Sequence, residues 1–105
     1  MTAGAEIVVR DDPGAGRYEL LVSGELAGHA TYSVSGGAMT IPHTEVLPRY
    51  EGRGLGARLA RFALDDARRR GLRVVPACSF IAAYIARHPE YGDLTDAQPP
   101  SGAPT

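Results

Sequence analysis

A single mixed α/β domain, in which a four-stranded antiparallel meander is followed by a helix, a strand and a second helix, is the fold class this sequence predicts. Three observations predict it. Residues 6–47 hold four stretches of strand-forming or alternating residues separated by turn chemistry. Between Gly54 and Arg70 the apolar spacing changes from every second residue to a helical repeat, and beyond Gly71 a short apolar run precedes another helical stretch. The 105 residues suit one modest core, since a chain of this size buries only about two thirds of the surface its unfolded form exposes.

Glu6 to Arg10 (EIVVR) and Arg17 to Val22 (RYELLV) are rich in strand formers, and the DDPGAG between them is a turn. Ser23-Gly24 leads into ELAGHATYSV, where Leu26, Gly28, Ala30, Tyr32 and Val34 alternate with more polar neighbours. Ser35-Gly36-Gly37 then turns the chain into a fourth strand, AMTIPHTEVL. In the helix that follows, Leu55, Leu59, Phe62, Ala63 and Ala67 form one apolar face, arginines fill the last turn and Gly71 is the stop. LRVVPA (72–77) predicts a short buried strand, and SFIAAYIARH (79–88) a helix halted by Pro89. The domain is therefore expected over residues 1–95. The remaining DAQPPSGAPT (96–105) lacks apolar periodicity and is expected to be a disordered tail.

The net charge of -1 conceals an asymmetry. All eleven basic residues are arginine, and eight of them lie between Arg49 and Arg73 against only Glu51, Asp65 and Asp66, a local charge of +5. Such a field suits a polyanionic small ligand or nucleic acid, or else a solvated helix face. The aromatics Phe62, Phe80 and Tyr84 fall on expected core faces, which argues against a stacking platform for single-stranded nucleic acid. No apolar stretch approaches the roughly 20 residues that span a bilayer, and the N-terminus lacks a basic start and apolar block, so a cytoplasmic protein is expected. The single cysteine, Cys78, agrees with a reducing compartment and excludes a cysteine zinc cluster. No metal site is expected.

Gly52, Gly54 and Gly56 stand where the long helix begins, although glycine costs about 1 kcal/mol relative to alanine inside a helix. A strand, a glycine-rich turn and a helix together make an anion site, because the first helical turn leaves N–H groups unpaired and carries a partial positive charge. A P-loop would need Lys-Ser/Thr after the last glycine, and here Ala57-Arg58 follows. The dinucleotide fingerprint needs G-x-G-x-x-G in a parallel unit, and here the spacing is G-x-G-x-G after a meander.

The stretch V46-L47-P48-R49-Y50-E51-G52-R53-G54-L55-G56 resembles the V-x-P-x-x-Q/R-x-x-G-x-G/A segment of GNAT-type N-acetyltransferases, with Glu51 at the position usually held by Gln or Arg. The resemblance extends through H43-T44-E45-V46, P76-A77-C78-S79-F80 and Y84-I85-A86-R87-H88-P89-E90-Y91, roughly residues 6–95, and is to the compact single-domain subfamily. It implies a shortened GNAT-like fold, without the two early helices that often help bind the acceptor. It also implies acetyl-coenzyme A as cofactor, an amine as acceptor, and backbone amides that hold the pyrophosphate. The residues carried over for cofactor binding are Val46, Leu47, Arg49, Gly52, Arg53, Gly54, Leu55, Gly56 and Ala57, with Val46 or Leu47 offering the oxyanion N–H and Arg58 a further cation for the phosphates.

Acyl transfer to an amine also asks for a base and for an acid at the leaving thiolate. His43 and Glu45 lie two apart on one strand and project from the same face. An imidazole titrates near neutrality without help, which favours His43, whereas the resemblance favours Glu45. Tyr84 falls where the resemblance implies a tyrosine that protonates the thiolate, and it also fits a core aromatic. Cys78 precedes a helix N-terminus, a setting that promotes thiolate, so it is a candidate acyl relay as well as a small buried hydrophobe. The rival to an enzyme is a non-catalytic module that binds coenzyme A or acyl-coenzyme A as a sensor or scaffold.

Overall fold

The computed structural model describes residues 6–95; the expected tail over 96–105 lies outside the described residues. The strands are β1 (Ile7–Asp12), β2 (Arg17–Val22), β3 (Glu25–Ser35), β4 (Ala38–Val46) and β5 (Arg73–Val75). The helices are α1 (Leu55–Arg69), α2 (Ser79–Arg87) and a four-residue α3 (Gly92–Thr95). Single 3₁₀ turns at Pro48–Tyr50 and Pro89–Tyr91 follow β4 and α2. The turn after β4, α3 and the turn after α2 are additions to the expected order of elements.

The five strands form one sheet in sequence order. The first four pair antiparallel, and β5 joins β4 in parallel after the α1 crossover. Tyr18, Leu20, Ala30, Met39, Ile41 and Val74 point to the same side and are buried beneath Leu55, Leu59, Ala63 and Ala67 of α1 and Ile81 of α2. Alternation therefore supplies the sheet half of the core and the helical repeat supplies the other half. A polar node lies inside this layer: Tyr18 donates to Asp66 at 2.7 Å, and Asp66 is also held by Arg69 and Arg70.

Two bulges alter the expected pattern. Between the pairs Leu20↔Gly28 and Leu21↔Leu26, Ala27 is the extra residue, so Leu26 shifts to the opposite face from Gly28 and Ala30 and is exposed. Between Thr31↔His43 and Ser33↔Thr40, two residues of β4, Ile41 and Pro42, stand against the single Tyr32. Phe62 and Phe80 also depart from expectation: they are 36% and 37% exposed. Helical spacing placed them on the correct side, but at the border of the apolar stripe, where a ring reaches water. Both rings are therefore within reach of a stacking partner, contrary to the core burial that the spacing predicts.

The other face of the sheet carries no helix among the described residues. In register across β1 to β4 it presents Arg10, Glu19, His29 and Glu45, and beside that row Asp12, Arg17, Thr31 and His43.

Candidate active site

The β4 bulge divides the strand's side chains between two faces. Before it, Met39 and Ile41 enter the core; after it, Thr44 and Val46 turn to the helix side and His43 and Glu45 to the open face. β5 pairs with β4 only from Ala38 to Thr40, so the two strands part beyond that point. A cleft of about 400 Å³ occupies the helix side of this gap. Thr44 and Val46 line it from β4, Tyr50 to Gly52 and Gly54 to Ala57 from one side, and Phe80, Tyr84 and Arg87 from α2.

The turn is anchored from below. Tyr50 is buried and its hydroxyl donates to Glu25 at 2.6 Å, while Arg49 donates to the same carboxylate at 2.7 Å. These two bonds, the tyrosine's first, hold Glu25 below the usual carboxylate range. The guanidiniums of Arg49 and Arg53 lie over the Tyr50 ring at 5.0 and 5.6 Å. Gly52 and Gly54 adopt φ of 81° and 72°, and a Cβ on either would meet nothing within 4 Å. Both therefore satisfy a left-handed backbone and leave the space above it open. Gly56 has a different cause: a Cβ there would come within 2.8 Å of the Phe80 ring.

Gly54 is the N-cap of α1, with no side-chain cap and no acid in the first turn. The first intrahelical bond runs from Arg58 to the Gly54 carbonyl, which leaves the N–H groups of Leu55, Gly56 and Ala57 without an acceptor in the helix. All three residues line the cleft. Among the described residues the wall of the cleft is thus a row of free donors at the positive end of a helix dipole.

A further backbone donor lies on β4. The Leu47 N–H is bonded to the Ala27 carbonyl at 2.8 Å, so it is not free to act on an acyl oxygen. The alternation of an antiparallel ladder then turns the Val46 N–H away from β3 and toward the gap. Of the two backbone N–H groups singled out in the sequence, that of Val46 faces the gap and that of Leu47 does not.

Seven of the expected residues meet at the cleft: Val46, Gly52, Gly54, Leu55, Gly56, Ala57 and Tyr84. Leu47, Arg49 and Arg53 do not line it. Leu47 faces a shallow hollow of about 170 Å³ on the open side, shared with Arg17, Leu26, Gly28, His29 and Glu45. Tyr84 is buried, stacks on His88 with 4.0 Å between ring centroids, and has no hydroxyl partner among the described residues. Burial pushes its hydroxyl above the ordinary value, so it is protonated at neutral pH. Cys78 stands off the cleft, packed partly buried against the core, with its Sγ 3.4 Å from the Thr44 hydroxyl. His43 and Glu45 lie together on the open face, Nε2 to Oε1 at 3.4 Å.

Thr44, Phe80, Arg87 and His29 were not singled out as site residues. Arg87 was open to discovery, being three residues after Tyr84 and so on the same helix face. His29 was not, because its relation to Glu45 depends on strand register. Burial, then the nearby Arg17, holds the His29 imidazole below its ordinary range and therefore neutral.

A family model described as GCN5-related N-acetyl-transferase matches residues 17–94. Among solved structures, the ribosomal-protein-S18-alanine N-acetyltransferase of Escherichia coli is 29% identical, with a TM-score of 0.57 over 72% of this chain and 50% of its own. A GCN5-like protein from Staphylococcus aureus is 21% identical, with a TM-score of 0.66 over 94% of this chain and 95% of its own. A GNAT family acetyltransferase from Brucella melitensis, solved in complex with acetyl-CoA, is 23% identical, with a TM-score of 0.54 over 69% of this chain and 50% of its own. The chain thus spans half the length of the Escherichia coli and Brucella proteins and nearly all of the Staphylococcus protein. No curated protein sequence matches it.

Proposed function

Because the chain belongs to the GCN5-related N-acetyltransferase family, we propose that it binds acetyl-coenzyme A in the cleft between β4 and α2 and transfers the acetyl group to an amine. The observation that carries this reading is the row of acceptor-free N–H groups at Leu55, Gly56 and Ala57, set on the wall of a cleft whose floor is the gap between β4 and β5.

The residues fit the group. Free helix N-terminal donors suit a pyrophosphate, the open space over Gly52 and Gly54 admits it, and Arg87 is the cation that lines the cleft. When bound, acetyl-coenzyme A supplies an activated acyl carbon and a thiolate leaving group. The N–H groups of Leu55 to Ala57 hold the phosphate oxygens. The Val46 N–H, aimed into the gap, donates to the acyl oxygen and stabilises the charge that develops there. Tyr84, protonated and without a competing partner among the described residues, gives its proton to the leaving thiolate. Glu45, with His43 beside it, takes the proton of an amine that enters from the open face. Cys78 has its thiol against Thr44 and off the cleft, which supports direct transfer over an acyl relay.

The second reading, a non-catalytic coenzyme A sensor or scaffold, is favoured by one observation. The His43 and Glu45 side chains are 58% and 50% exposed, so among the described residues the acceptor side has no roof that excludes water.

Isothermal titration with coenzyme A should show binding that weakens with salt and is abolished in Gly54→Val, where a branched side chain enters the left-handed backbone and the phosphate space. Mass spectrometry across an amine panel should then show transfer that falls about 100-fold in Glu45→Gln and in Tyr84→Phe with coenzyme A affinity unchanged, and that survives in Cys78→Ala. Absence of coenzyme A binding at low salt would sink both readings. Binding without transfer to any amine would leave the sensor.

A further inference from the structure

The open face holds a side-chain cluster that the transfer reading uses only in part. His29 stands directly opposite Glu45 in the β3–β4 register, and His43 lies two residues from Glu45 on the same strand and face. The two imidazole centroids are 5.6 Å apart, His43 Nε2 is 3.4 Å from Glu45 Oε1, and one ligand atom from each of the three residues falls within 4.8 Å of the others. We propose that His29, His43 and Glu45 form a binding site for a divalent transition-metal ion, Zn²⁺ by its ligand set, where the sequence led us to expect no metal.

The chemistry is selective. Two imidazoles and one carboxylate suit zinc and its neighbours, whereas Ca²⁺ and Mg²⁺ take oxygen ligands. Bonds of about 2.0–2.2 Å to a tetrahedral ion place ligand atoms about 3.3 Å apart. The His43–Glu45 pair already has that spacing, and closing the wider distances takes side-chain rotation, which the half-exposed His43 and Glu45 are free to make. His29 is the better-held ligand, being partly buried between Glu19 and Glu45 on adjacent strands. Arg17, which shares a hollow with His29 and Glu45, is already committed to Glu19 at 2.8 Å, which tempers its repulsion of a metal ion. Three protein ligands leave the fourth position to water, on the open face away from the cleft.

One consequence rests on the proposed transfer reaction. An ion held by Glu45 and His43 occupies both candidate bases, so metal binding and acetyl transfer would exclude one another.

Titration of the full chain with ZnCl₂ tests the site. One Zn²⁺ should bind per chain in wild type and in Cys78→Ala. Binding should weaken in His29→Gln, His43→Gln and Glu45→Gln by more than the roughly 10- to 100-fold that follows loss of an outer partner. Circular dichroism melting would certify each variant as folded; should His29→Gln fail to fold, the two half-exposed positions carry the test. The proposal is overturned by wild type that takes up no Zn²⁺, by binding unchanged in the three glutamine variants, or by binding that disappears in Cys78→Ala. Zn²⁺ should also inhibit acetyl transfer by wild type and not by His29→Gln. Zinc that binds through the three residues yet leaves transfer unchanged would keep the site and remove the base assignment.

Discussion

The two faces of the sheet are built from alternate residues of the same strands, yet they solve opposite problems. The face under α1 and α2 removes Tyr18, Leu20, Met39 and Ile41 from water, and the buried carboxylate of Asp66 is enclosed there by Tyr18, Arg69 and Arg70. The other face has no helical cover among the described residues and relies on cross-strand charge: Glu19 is only 4% exposed because Arg10 and Arg17 fold over it. Stability is concentrated on the first face by apolar burial. The second face is free to carry titratable groups such as His29, His43 and Glu45. A one-residue bulge in β4 connects the two, since it directs Thr44 and Val46 to the cleft and leaves their neighbours outside.

Four substitutions would sharpen or break this division. The largest effect belongs to a matched pair. Leu59→Ala, in the fully buried layer, should cost about 2–5 kcal/mol in urea unfolding, while Leu26→Ser on the open face should stay within about 0.5 kcal/mol. Comparable losses at both sites would show that something covers the open face in solution. Next comes Tyr18→Phe, which takes a 2.7 Å donor from a buried carboxylate and should cost about 1–3 kcal/mol by the same measurement. A neutral result would mean that Arg69 and Arg70 alone satisfy Asp66.

The smallest effect is read from the pH dependence of Glu19→Gln. Hydrogen bonds from Arg17, then Arg10, hold Glu19 below the usual carboxylate range. A depressed folded-state value contributes stability that is present above the unfolded value, about 4.3, and is lost as pH falls through the folded one. Wild type should therefore exceed the variant by about 1 kcal/mol above pH ~5, and the two stability curves should converge on acidification. Parallel curves down to strong acid would assign the arginine bonds no role in stability.

Much of this division is written in local sequence. Strand alternation, the i, i+4, i+8 spacing of Leu55, Leu59 and Ala63, and the glycines at 52 and 54 depend on nearest neighbours and survive without tertiary information. The bulge at Ile41–Pro42 does not, because an extra residue has meaning only against the partner strand. That is why His43 and Glu45 could be placed together but not assigned a face, and why His29 escaped notice. Gly56 shows the same boundary: its spacing matched a phosphate turn, while the closest atom it accommodates belongs to Phe80, two elements later. Arg49 and Arg53 had the right charge and position for phosphates. The bonds of Arg49 and Tyr50 to Glu25 depend on the start of β3 lying beneath the turn, some 25 residues back along the chain, and both guanidiniums lie over the Tyr50 ring that Glu25 holds.

The early end of β4–β5 pairing also has a colloidal side. From Ile41 to Val46, β4 has β3 along one border and, among the described residues, no strand along the other. Such a border is a template on which a second chain can add a strand. Pro42 withholds one donor from it, the bulge bends it, and the polar His43 and Glu45 flank it, all devices by which natural sheets resist sticking to one another. A molecule lodged in the gap would seal that border as a neighbouring strand does. Filled and empty protein are then two different solutes, and the empty one is the more prone to self-association at high concentration.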